Sequence, residues 1–195
     1  MNEIKLIDEA VRVLEHGGVI GYPTDTTYGI GCAISDLNAV NKIFEIKGRD
    51  FEKPLSVAFS SIEMAKNYVE LPEMYEKILR EYLPGPFTFL LAKNELIGDK
   101  ITAGLPRVGV RIPKYDIVLK IIEELGEPII TTSANLSGEP DVIKSDDLKV
   151  SVDFLVRGEC PIGIPSTLID LDSKKILREG AGIATANEII SSLND

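Results

Sequence analysis

The residues able to do chemistry lie in short segments where Gly, Pro, Thr and Ser surround Arg or Lys. These are Tyr22-Pro23-Thr24-Asp25-Thr26-Thr27-Tyr28-Gly29, Lys47-Gly48-Arg49-Asp50, Lys53-Pro54-Leu55, Val108-Gly109-Val110-Arg111-Ile112-Pro113, Thr131-Thr132-Ser133-Ala134-Asn135-Leu136-Ser137-Gly138, Pro165-Ser166-Thr167 and Leu177-Arg178-Glu179-Gly180. They cluster at the ends of strand-like runs, and loops at strand ends are where α/β sheets bind ligands. Of 21 basic residues, six (Lys47, Arg49, Lys53, Arg107, Arg111 and Arg178) fall in or beside these segments. The chain as a whole carries a net charge of −10. Cations gathered in an acidic chain point to a pocket for a polyanion, with a nucleoside triphosphate the most economical ligand. Arg supplies a forked donor for phosphate or carboxylate, and Lys a point charge.

Each segment also has an ordinary reading. Lys47 and Arg49 could be cations stabilising the C-terminal end of a helix. Arg111 alternates with valines and could be an outward-facing strand residue. Ser133 and Asn135 could satisfy their own turn, and Ser166 and Thr167 could simply begin a strand. Other chemistries are absent. A single histidine, His16, excludes His-dependent triads elsewhere in the chain, the HExxH zinc motif and multi-histidine metal sites. His16 itself reads as a helix-end residue. There is no Walker A loop, and Gly29-Ile30-Gly31 lacks the third glycine of a dinucleotide fingerprint, having Ile34 there. The two cysteines, Cys32 and Cys160, are too few for a disulfide scaffold and read as small core hydrophobes in a reducing cytoplasm.

The elements that must position these segments follow from periodicity. Helices are predicted over 3–16, 36–46, 61–68, 72–82, 114–125 and 185–193, with Ser35 or Asp36 as a cap and Pro72 in the first turn of its helix. Strands are predicted over 19–22, 55–59, 87–92, 108–112, 128–132 and 153–156, and a hairpin over 166–172 and 175–178 turns at Asp172-Ser173. The chain has 195 residues, 44% of them hydrophobic and 27% charged, with no linker, repeat or apolar run long enough to span a membrane. This predicts one α/β domain over residues 1–195, a twisted mixed β-sheet flanked by helices.

Together the segments PTDTTYGIG, KGR followed by KPL, LPGPFT, VGVRIP, TSANLSGEP, PST and REG resemble the YrdC-like family, the threonylcarbamoyl-AMP synthases, in the family's own order from about Gly18 to Gly180. The resemblance is to the short single-domain form, without a further C-terminal domain. It implies a YrdC-like fold and a nucleotidyltransferase reaction. L-threonine, bicarbonate or CO2, and ATP would give threonylcarbamoyl-adenylate and pyrophosphate, the first step of threonylcarbamoyladenosine formation in tRNA.

By that resemblance Lys47 and Arg49 are the catalytic, phosphate-holding pair. Lys53, Arg107, Ser133, Asn135, Asp141 and Arg178 complete the ATP site. Thr24, Thr26, Arg111, Thr131 and Ser166 form the threonine site, with Arg111 taking the carboxylate in a bidentate contact. Magnesium would arrive with ATP rather than on protein side chains. The implied partners are a downstream tRNA threonylcarbamoyl transferase complex and a weak contact with tRNA. Asp50, Ala58, Arg107 and Asp141 stand where the family more often has proline, histidine, threonine and serine. Two other readings remain open: a paralogue acting on a different carbamoyl-adenylate, and a non-catalytic RNA-binding module. The net charge disfavours the second, because backbone affinity for RNA needs many cations.

Overall fold

The computed structural model describes residues 2–193. Helix α1 (Glu3–Glu15) begins where the Asn2 side chain accepts the Lys5 amide at 2.9 Å, and it ends at His16, whose Nδ1 lies 2.7 Å from the Arg12 carbonyl oxygen. Strands β1 (Ile20–Tyr22) and β2 (Gly29–Gly31) pair antiparallel across the Pro23–Tyr28 loop. Helix α2 (Leu37–Lys47) is capped by Asp36, which accepts the Asn38 and Ala39 amides. It stops at Gly48, whose φ of 53° is left-handed and open to glycine without strain.

Then follow β3 (Ser56–Ala58), α3 (Ile62–Lys66), α4 (Glu73–Tyr82), β4 (Phe87–Ala92), α5 (Asp99–Thr102), β5 (Arg107–Arg111), α6 (Asp116–Leu125) and β6 (Ile129–Ser133). After a long irregular stretch come β7 (Phe154–Leu155), the hairpin β8 (Thr167–Asp170) and β9 (Lys175–Arg178), and finally α7 (Ile183–Ser192). Pro72 is the cap of α4 rather than a residue of its first turn. Strand β2 and helix α5 are absent from the periodic reading, because each is too short to carry a period.

The strands form one sheet in the order β7-β1-β2-β6-β3-β5-β4-β8-β9, with parallel and antiparallel neighbours mixed. Its two faces differ. One is covered by α2, α3, α4 and α7, which bury Phe44, Ile62, Leu79 and Ile189 against Val57, Phe89, Val110, Ile130 and Ile169. On the other, α1 and α6 cover only part, packing Leu14, Val118 and Ile122 on Ile20, Tyr22, Ala58 and Ile129. Beyond Ala58 and Ile129 that face has no helix over it. Side chains alternate along a strand, so Ser56, Thr131, Gly109 and Arg111 emerge there. No described helix is long and apolar enough to cross a membrane.

Candidate active site

The uncovered part of the sheet is the floor of a cavity of about 600 Å³, within the usual range for a small-molecule site. Adjacent strands supply the floor in register: Thr131 pairs with Ser56, Ser56 with Gly109, and Gly109 with Leu90. A Cβ at Gly109 would stand 2.5 Å from Ser56 Oγ and 3.0 Å from Thr88 Cγ2, so glycine keeps the floor flat. Thr24, Arg49, Arg107, Arg111, Thr131, Ser133, Asp141, Ser166 and Arg178 of the expected set all line the cavity. Thr26, Lys47, Lys53 and Asn135 do not. Arginines outnumber acids in this lining, where Asp141 is the only carboxylate.

One corner is built by Arg111. It is buried, and its Nη2 donates to Thr24 Oγ1 at 3.1 Å, to Asp25 Oδ1 at 3.0 Å and to Thr26 Oγ1. The outward-facing reading of this arginine therefore fails, because the Pro23–Tyr28 loop folds over it. Thr24 Oγ1 also donates to the Thr27 carbonyl at 2.7 Å and lies 3.0 Å from Thr26 Oγ1, while the Thr24 amide points at Cys160 Sγ at 3.4 Å. Arg111 Nε and Asp25 Oδ2 are buried without partners. With Nη2 committed and Nε closed off, a two-point grip on a carboxylate is not ready-made; Nη1 is the donor left for a ligand. Asp25 sits in a segment singled out by sequence, yet its role as counter-ion to Arg111 was missed. The two are 86 residues apart and meet only in the fold.

The opposite wall is built by β8 and β9. Arg178 Nε and Nη2 donate to the Ser166 carbonyl at 3.1 and 3.0 Å, and Nη2 reaches Ser166 Oγ at 3.0 Å. Ser166 Oγ lies 2.8 Å from Thr88 Oγ1. Thr88 is a further lining residue, recognisable as the one hydroxyl in the apolar run Phe87–Ala92. Burial lowers the Arg178 pKa, and Arg111 and Arg49 lower it further, against the opposing pull of Asp141. Arg178 thus feels the charges of both Arg111 and Arg49. An anionic ligand would relieve that repulsion.

Arg49, also lowered by burial, is steadied by the Pro54 carbonyl at 3.0 Å. Arg107 is held by the buried Asp170, 2.7 Å from Nη1, with Asp172 at 3.6 Å, so its charge is already balanced within the protein. Lys53 is exposed; its backbone carbonyl, 3.4 Å from Arg49 Nε, is what meets the site. Ala58 lies under α1 and α6 and does not reach the cavity.

Lys47 does not line the cavity, though Ser133, which it bonds, does. Its Nζ donates to the carbonyls of Ser133 and Asn135 at 2.5 and 2.8 Å, with Asn135 Oδ1 at 3.2 Å and Ser133 Oγ at 3.4 Å. Burial, then the nearby Arg49, pull its pKa down to about 8, against an upward pull from Asp141. Asn135 accepts from Ser133 Oγ at 2.6 Å and donates to the Glu139 carbonyl. The described residues contain no group of three or more His, Cys, Asp or Glu placed to hold a metal ion.

Known proteins share this sequence and fold. The Sua5/YciO/YrdC family model, described as telomere recombination, matches residues 12–180. The threonylcarbamoyl-AMP synthase of Pyrococcus abyssi is 38% identical over 168 residues, 83% of this chain and 49% of its own length. That of Bacillus subtilis is 33% identical over 183 residues, 89% of this chain and 53% of its own. The chain thus spans about half the length of these two relatives. The structure of P. abyssi Sua5 complexed with L-threonine superposes with a TM-score of 0.85 at 36% identity, covering 92% of this chain and 55% of that one. Escherichia coli YciO gives 0.84 at 28% identity, covering 95% and 93%. The sheet with its half-covered face, the ordered segments around it and these similarities agree: the chain belongs to the Sua5/YciO/YrdC family.

Proposed function

We propose that this chain is an L-threonylcarbamoyl-AMP synthase, a nucleotidyltransferase acting on ATP, L-threonine and bicarbonate or CO2. The observation that carries the proposal is one cavity lined by arginines at two places: the Arg111 corner beside Thr24, and the Arg49 and Arg178 walls. The first suits the carboxylate and hydroxyl of threonine. The second suits the phosphates of ATP. The relatives' names and the L-threonine complex of P. abyssi Sua5 support the same assignment.

The threonine amine, once deprotonated, attacks the carbon of CO2 and forms a carbamate with loss of a proton. A carbamate oxygen then attacks the α-phosphorus, and the bond from that phosphorus to pyrophosphate breaks. Such a transfer asks little covalent help of the protein. It asks for alignment and for neutralisation of charge on the phosphates. In this reading Arg111 Nη1 and the hydroxyls of Thr24 and Thr131 orient threonine. Ser133 and Asp141 face the nucleotide, and Arg49 and Arg178 steady the departing pyrophosphate. Arg178 also fixes Ser166, and through it Thr88, on the floor between the two sites.

Magnesium would enter on the phosphates as part of the substrate, and Asp141, the one carboxylate in the lining, would be available to it. The adenylate would pass to a tRNA threonylcarbamoyl transferase complex in the cytoplasm, where free, buried Cys32 and Cys160 stay reduced. Incubation with MgATP, L-threonine and bicarbonate should release pyrophosphate and the adenylate, each detectable by mass. Release that proceeds equally well without threonine would refute this substrate and favour another carbamate. Tight, salt-sensitive duplex RNA binding without release would favour the RNA-binding module.

A further inference from the structure

Lys47 is the exception among the cations gathered here. It is 2% exposed and does not line the cavity. An ammonium carries three hydrogens, and here it is surrounded by four oxygens, all from Ser133 and Asn135. The Ser137 amide donates back to the Lys47 carbonyl at 3.0 Å. The last residue of α2 and residues 133–139 are therefore tied at two points, one through the backbone and one through the ammonium. Gly48 then turns the chain in its left-handed conformation, and Arg49 emerges on the cavity side. The two cations of Lys47-Gly48-Arg49 consequently face different partners.

We infer that Lys47 is a positioning residue: it ties the end of α2 to the last residue of β6 and to the loop 134–139 that follows, so that Ser133 and this loop meet the nucleotide in one arrangement, and it does not itself touch phosphate. This rests on the nucleotide reading of the cavity. No carboxylate pairs with Lys47, so the tie is made to oxygens that lose their donor when the amine is removed. Two of them are backbone carbonyls, and without the ammonium the loop must turn them toward water. The contact between Ser133 Oγ and Asn135 Oδ1 holds only within residues 133–139 and cannot anchor the loop to α2.

The test compares wild type, Lys47→Met, which keeps the stem and removes the ammonium, and Lys47→Gln as a second variant should the first fail to fold. Amide hydrogen exchange of residues 134–139, in protein without nucleotide, should rise about tenfold or more in the variant while the central strands stay protected. Unchanged exchange would show that Lys47 does not hold this loop and would overturn the inference. Calorimetric binding of ATP and of AMP should weaken by the same factor. Arg49→Ala, by contrast, should weaken ATP more than AMP.

Lys47→Met combined with Asn135→Ala should be no weaker than the worse single variant, since both cut the same tie. Additive losses, or a loss confined to ATP, would overturn the inference. Lys47→Arg keeps the charge, but its planar fork does not fit oxygens grouped around one nitrogen. Restoration of ATP binding by arginine would also count against the assignment. The exchange measurement needs no ligand, so it tests the tie made by Lys47 even if the wild type makes no adenylate.

Discussion

Asp25 and Arg111 form a buried ion pair joined by one contact of 3.0 Å, with side chains 7% and 10% exposed. Asp25→Ala would leave the guanidinium buried with only the Thr24 and Thr26 hydroxyls for company. Breaking a buried pair from one side costs about 3–5 kcal/mol. Two features place this pair at the lower end, about 3 kcal/mol: the hydroxyls keep part of the charge solvated, and Asp25 Oδ2 and Arg111 Nε already lack partners in the intact protein. In a domain of this size that loss lowers Tm by about 6–12 °C.

Urea unfolding would read the loss as a shift in midpoint at constant slope. Arg111→Ala should cost a similar amount, because it strands the carboxylate instead. The double variant removes both charges and should fall by no more than a single one, giving a coupling of about 3 kcal/mol. Additive losses, about 6 kcal/mol for the double variant, would mean that the two charges do not support each other. That result would refute the account of the corner. Assayed for pyrophosphate release, both single variants should raise the KM for threonine more than that for ATP.

Arg178→Ala removes a charge-assisted contact of about 1.5–3 kcal/mol, so kcat/KM for ATP should fall about 10- to 150-fold. A fall under threefold would remove Arg178 from the phosphate site. The pKa of Lys47 is lowered to about 8 in the fold, so between that value and the ordinary lysine range the unfolded chain binds more protons and stability should rise with pH. In Lys47→Met this rise should shrink, which urea midpoints at a series of pH values would detect. Gly109→Val should block the cavity floor and abolish nucleotide binding while the sheet persists by circular dichroism; unimpaired binding would show that the ligand does not lie over β5.

Much of the local structure was legible. The cap Asp36 and the turn between β8 and β9 depend on residues adjacent in sequence, and the structure has both. The segments of the site were legible as a set, because each carries turn formers beside a cation. What escaped was the direction of individual side chains. Arg111 finds Asp25, Arg107 finds Asp170 and Lys47 finds Asn135 only after strands distant in sequence have paired. Strand β2 escaped for another reason. Gly29 and Gly31 give no hydrophobic alternation, and their place in the sheet comes from close approach: a Cβ on Gly31 would stand 2.1 Å from the Ile130 carbonyl oxygen.

The alternating rows of β5 separate two kinds of selection. Val108 and Val110 answer to the core, while Arg107, Gly109 and Arg111 answer to whatever the cavity holds. Ligand preference can thus drift along one row while the other keeps the protein folded. The same arrangement makes the strand intolerant of a change in length. Inserting one residue after Val108 would exchange the rows beyond it, turning Arg111 toward the core and Val110 toward the cavity. Substitutions should therefore be common among working descendants of this strand, and single-residue insertions absent.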